Sequence, residues 1–162
     1  MKEIAQLAGF VAAHAIIGVS EGKSLTTPLL VVEKEDGGTQ FIEVMGNSSK
    51  DAVAKGERLL AKPVSGACRA VLAFEAFLNL PPGKTDAVFL HACCYQPERH
   101  EFHVAVPFRA AKDPGGFAVF RPKFIVYEDD LVPPGALDAF RRGVALHPPG
   151  QTVWNAHLDE SR

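Results

Sequence analysis

The sequence predicts an α+β fold: a mostly antiparallel β-sheet with helices packed on one face, in the order α-β-β-α-β-β-β-β-α. Three observations point that way. Ile4, Leu7, Ala8, Val11 and Ala15 recur at the spacing of one helical face, so the chain opens on an amphipathic helix. Further on, Val88, Leu90, Ala92 and Cys94, then Phe102, Val104, Val106 and Phe108, alternate with period two, as half-buried strands do. Short turn segments separate these strands. Such turns join antiparallel neighbours, because a parallel neighbour needs a crossover of about a dozen residues or more.

Gly18 to Thr27 reads as a loop, and Pro28 opens the apolar run Leu29-Leu30-Val31-Val32. Glu35-Asp36-Gly37-Gly38 supplies the positive φ of a tight hairpin, after which Phe41-Ile42-Glu43-Val44-Met45 returns as the second strand. Ser48 and Asp51 resemble a capping box. They start a helix that carries Val53, Leu59 and Leu60 and ends before Pro63. Four strands follow: Val71 to Leu80, Ala87 to Tyr95, Glu101 to Phe108 and Phe117 to Tyr127. Breaks fall at Pro81-Pro82-Gly83 and at Asp113-Pro114-Gly115-Gly116. Pro133-Pro134 leads into a last helix with Leu137, Phe140 and Val144, and with Gly143 near its end. Residues 1–145 are read as one domain and 146–162 as a tail without clear period. The single tryptophan, Trp154, is expected to dock that tail, on its own domain or on a second copy in a homodimer.

A chain of 162 residues buries enough surface to fold without a disulfide or a structural metal. The net charge of −2, with no run of basic residues, gives a polyanion nothing to hold, so no nucleic-acid partner is expected. Of the three cysteines, Cys93 and Cys94 are adjacent, and an odd count makes no disulfide framework. Reduced thiols in a cytoplasmic protein are the simplest expectation. Lys2 and Ala13-His14-Ala15 faintly resemble a signal peptide, but Glu3, Gln6 and Gly9 break that pattern. No apolar segment is expected to reach the roughly 20 residues that span a bilayer, and no membrane partner is expected.

Gly18-Val19-Ser20-Glu21-Gly22 followed by Leu25 and Pro28, with Lys84-Thr85-Asp86-Ala87 further on, resembles a group of small bacterial α+β proteins of unassigned function. The resemblance implies a bacterial origin and the same fold class, and it brings no catalytic residue. Gly18 to Ser24 also invites comparison with a phosphate-binding loop. However, three residues rather than four separate its glycines, and it leaves a helix and enters a strand, the reverse of a Walker loop. A helix-to-strand turn is the better reading.

One constellation carries chemistry. With the two alternating apolar sets facing the core, a pairing of Cys93 opposite His103, His91 opposite Ala105 and Tyr95 opposite Glu101 puts all these polar residues on the other sheet face. Reading Leu72, Phe74, Ala76, Leu78 and Leu80 as inward places Glu75 beside His91 or Cys93, and Arg121 and Lys123 have the parity to join them. Three meanings stay open. Cys93 and His103 form a nucleophile and base; His91, Cys93, His103 and Glu75 hold zinc; or Glu75, His91 and Arg121 bind a small anionic ligand. A solvated sheet face that merely tolerates such residues is the fourth. The segment His100-Glu101-Phe102-His103 lacks the spacing of a helical zinc motif and lies in a strand. No cofactor is implied. The chain is therefore read as a non-catalytic small-ligand-binding or protein-interaction domain, with a hydrolase-like enzyme using the His/Cys/Glu face as the alternative.

Overall fold

The computed structural model describes residues 2–81, 83–125, 127, 132 and 134–162. Of the segments singled out above, Pro82 in the turn, Val126 in the fourth strand and Pro133 before the last helix lie outside the described residues. Among the described residues four helices accompany an eight-stranded sheet, a mostly antiparallel α+β arrangement as the sequence predicts.

The opening amphipathic segment is α1 (Lys2–Ser20), whose Ile4, Leu7, Ala8, Val11 and Ala15 are all buried. Contrary to the expectation that no segment is that long and apolar, α1 would suit a membrane span by length and composition alone. Within this structure 61% of its apolar window is buried. The hairpin follows as β1 (Leu29–Lys34) and β2 (Thr39–Glu43), with Val31 opposite Phe41 and Gly37 at φ 84° in the turn. Next comes α2 (Ser49–Ala61). The Ser48 hydroxyl accepts from the Asp51 amide, and the Asp51 carboxylate accepts from the Asn47 amide, so two free amides at the helix start are satisfied. Then come β3 (Ala67–Leu80), β4 (Gly83–Cys94) and β5 (His100–Arg109), paired antiparallel in sequence.

The expected single strand from Phe117 to Tyr127 is two: β6 (Ala118–Phe120) and β7 (Lys123–Ile125). Pro122 lies between them and has no amide to give a ladder, and the two pieces pair different parts of β5 in registers offset by one residue. The last helix is α3 (Ala136–Ala145). The tail is not aperiodic after all: it folds as α4 (Pro148–His157) and a short β8 (Leu158–Asp159) parallel to β6. Trp154 is buried within the chain, its ring 6.0 Å from that of Phe140. The docking partner of the tail is thus its own domain.

The strand order is β2-β1-β3-β4-β5-β6-β8, with β7 also on β5. Helices α1, α3 and α4 share one face, burying Val31, Val71, Ala73, Val88, Leu90, Phe102 and Val104. The expectation of helices on one face fails for α2, which covers Leu30, Val32, Ala70, Leu72 and Cys93 on the other. The physical reason is that β1 and β3 are apolar on both sides, so their second face also needs a cover.

Candidate functional site

On the α2 face, β4 and β5 have the expected parity but a pairing shifted by one position on each strand. His91 lies opposite His103, and Cys93 opposite Glu101. Cys93 and His103 therefore share a sheet face, opposite to Cys94 and Phe102, but are diagonal rather than direct neighbours. The turn accounts for the shift. Tyr95 leaves the β5 ladder, its amide bonding Cys68 and its hydroxyl donating to the Leu60 carbonyl at 2.7 Å.

The centre of this face is His91. Its Nδ1 lies 2.7 Å from Glu57 Oε2 on α2, and its Nε2 lies 3.0 Å from Glu101 Oε2 on β5. A carboxylate only accepts, so a ring held between two of them carries a proton on each nitrogen. Burial opposes that charge, yet the bonds and charges of Glu57 and Glu101 outweigh it and hold the His91 pKa above its ordinary value. Glu101 is in turn gripped by Arg99, Nε to Oε1 at 2.7 Å, and Arg99 Nη1 reaches the Ala61 carbonyl at the end of α2. Burial pushes Glu101 up, but the bonds from Arg99 and His91 prevail and hold it below the usual carboxylate range. Two carboxylates thus face two cations, and the network ties α2 to the sheet. The His103 ring stacks on His91 with centroids 4.1 Å apart and meets Tyr127 edge-on at 4.7 Å.

This geometry is poor for thiol chemistry. Cys93 is fully buried, its Sγ 3.9 Å from Glu101 Oε1. Burial, against the pull of Arg99, pushes its thiol up to about 11, the reverse of what an attacking thiolate needs. Among the described residues no three His, Cys, Asp or Glu side chains are arranged to hold a metal ion.

Two other sequence candidates lie elsewhere. Glu75 pairs with Val88, and Leu72 lies opposite His91. Glu75 is consequently on the α1 face, where its carboxylate accepts from Ser24 Oγ and the Leu25 amide at 3.1 and 2.9 Å. The alternation of β3 misleads because both of its faces are apolar. Arg121 sits in the link between β6 and β7, exposed, 3.8 Å from Glu160.

Glu75 belongs to a different site, which the sequence reading missed. Beyond the end of α1 a cleft of about 840 Å³ opens over the ends of β3, β4 and β5. Its floor carries Glu75, Phe77, Lys84, Asp86 and Phe108. One side is the loop from Gly22 to Ser24, and the other is the segment from Ala110 to Pro114 together with Arg162. Asp86 lies opposite Phe77 and diagonal to Glu75 on the same face. Burial, then the charges of Glu75 and Asp113, raise the Asp86 pKa, with Lys112 opposing them. The available signal was a carboxylate at an inward position of β4, in step with Val88 and Leu90. Of the residues that carry the sequence resemblance, Val19 and Gly22 from the first segment and Lys84, Thr85 and Asp86 from the second line this cleft.

The chain matches no family model, no curated protein and no solved structure.

Proposed function

We propose that this protein is a non-catalytic small-ligand-binding domain, and that its ligand is a small anion held in the cleft beyond α1. The observation that carries the reading is the charge of that cleft. Lys23, Lys84, Arg109, Lys112 and Arg162 line it, against the carboxylates Glu75, Asp86 and Asp113. Its volume falls in the range of about 300–1,000 Å³ usual for small-molecule sites. Part of the cationic lining is already fixed in place. Arg109 Nε donates to the Gly116 carbonyl at 2.7 Å, and Arg162 rests on the Phe120 ring with its guanidinium 5.1 Å from the centroid. Arg109 Nη2 also donates to the Gly115 carbonyl and Arg162 Nη2 to the Pro81 carbonyl. What these residues hold in place is therefore positive charge, and a fixed charge binds at lower cost than a mobile one.

The hydrolase reading loses support on the α2 face, where the thiol is buried and held protonated and the histidine is engaged on both sides. A cytoplasmic setting and a bacterial source remain part of the proposal. The first is supported by the three unpaired cysteines, the second by the sequence resemblance.

Calorimetry with phosphate, pyrophosphate and citrate tests the proposal. At least one should bind saturably and more weakly as salt rises. The double variant Lys84→Ala/Lys112→Ala should weaken it about tenfold or more, at an unchanged melting temperature of the free protein. Absence of binding by all three anions at millimolar concentration overturns the reading.

A further inference from the structure

We propose that the anion bound in the cleft carries a planar aromatic ring, as a mononucleotide does, and that the ring stacks on Phe77. This rests on the reading of the cleft as an anion site and adds the chemistry of the ligand's other half. Phe77 is 65% exposed, although it sits on the strand floor of this cleft and not on a loop. A phenylalanine contributes nothing to an anion and gains nothing from water. An exposed aromatic ring beside cations is the arrangement by which proteins hold a base and its phosphate together, since every base presents a π-face.

The neighbours of the ring suit such a ligand. Asp86 lies directly across the β3–β4 ladder from Phe77, so a carboxyl is placed beside the stacked ring, where an amino or hydroxyl group of the ligand can meet it. Lys84 Nζ stands over the Phe77 ring at 5.5 Å from its centroid. That contact is weak in water, and the flexible lysine swings aside to a phosphate when a ring takes its place. Lys112 and Arg162 across the cleft supply further charge. Phe108, opposite Asp86 on β5, closes the apolar end of the floor.

Calorimetry on the full chain with AMP, ribose 5-phosphate and adenosine separates the parts. AMP should bind about tenfold more tightly than ribose 5-phosphate, a stacking-sized difference, and adenosine should bind weakly. In Phe77→Ala the AMP advantage should vanish while ribose 5-phosphate binding is unchanged. The exposed site makes that variant safe for folding, and its melting temperature checks this. Equal binding of AMP and ribose 5-phosphate by the natural chain overturns the aromatic inference and leaves the anion site standing. An AMP advantage that survives Phe77→Ala overturns the assignment to Phe77. Binding of neither compound, nor of the simple anions, overturns both readings.

Discussion

The two faces of the sheet are closed by different physics. On the α1 face the cover is three helices packed by shape. Gly9 and Gly143 let α1 and α3 approach until an added Cβ on either would lie 1.9 or 1.8 Å from the partner's backbone oxygen. On the α2 face the cover is one helix over a smaller apolar cluster, fastened by the charged chain Glu57, His91, Glu101 and Arg99. Shape tolerates no added volume but ignores charge. A charge network tolerates small changes of shape but fails when one member loses its proton or its partner. The cleft lies where the shape-packed cover ends, beyond the last turn of α1. Its five cationic side chains outnumber its three carboxylates, whereas beneath α2 two cations meet two carboxylates.

The largest expected effect is therefore steric and belongs to the α1 face. Gly143→Ala places a methyl carbon 1.8 Å from the Gln6 carbonyl oxygen. Backbone is not a flexible side-chain end, so the helices must separate. Overpacking of this kind costs typically 1–3 kcal/mol, occasionally more, and we expect about 3 kcal/mol. Chemical denaturation measures it. A loss below about 1 kcal/mol would mean that α1 and α3 do not touch through this glycine. Gly56→Ala, the corresponding change on the α2 face, first meets the Leu72 side chain, at 2.6 Å. A leucine can turn away, so we expect about 1 kcal/mol, and the order of the two variants tests the contrast.

The next effect is electrostatic and belongs to the α2 face. His91→Leu keeps an apolar body but leaves Glu57 and Glu101 facing each other without the cation. Removing one partner of a fully buried network costs about 3–5 kcal/mol. Here Glu57 and Glu101 are about one-third exposed, 38% and 32%, so solvent screens part of the repulsion and we expect about 2 kcal/mol. Glu57→Gln in the His91→Leu background should restore part of it by removing the like charge. If the double variant is no more stable than the single one, the two carboxylates do not oppose each other and the network is not what fastens α2.

Much of this was legible in the sequence, and the limits have physical causes. The hairpin turn at Gly37, the Ser48 cap and the β4–β5 parity follow from local chemistry, and the structure has all three. Glu75 was misplaced because parity can be read only where one face is polar, and β3 is apolar on both. Glu57 and Arg99 were invisible as partners of His91, because one lies on a helix and the other in a turn whose positions depend on how α2 crosses the sheet. Gly143 read as a helix end because a lone sequence does not show a neighbouring backbone. The cleft was missed for the same reason: its two walls, the Gly22–Ser24 loop and the Ala110–Pro114 segment, lie nearly ninety residues apart in the chain.

The smallest effect is a difference in sign with pH. On the α2 face the folded pKa of His91 lies above the ordinary value of 6.5. That stabilisation is full below about pH 6.5 and is lost as pH rises through the folded value. On the α1 face, His14 Nδ1 and His147 Nε2 are 3.1 Å apart, and His147 Nδ1 accepts from the Gly150 amide. His147 Nδ1 is thus unprotonated, so its Nε2 carries the hydrogen and donates to His14. Both rings are neutral. Burial, then the neighbouring His147, lowers the His14 pKa. A lowered histidine costs nothing above about pH 6.5 and destabilises as pH falls below it, because the unfolded chain takes up the proton first. The two faces should therefore weaken in opposite directions, the α2 face on alkalinisation and the joint of α1 with α4 on acidification. Trp154, buried in α4, reports the second through its emission, and the ring resonances of His91 report the first. In His14→Phe the acid-side loss should shrink while the alkaline-side loss remains. A profile in which His14→Phe changes both limbs, or neither, would show that the two histidine sites do not act on separate faces.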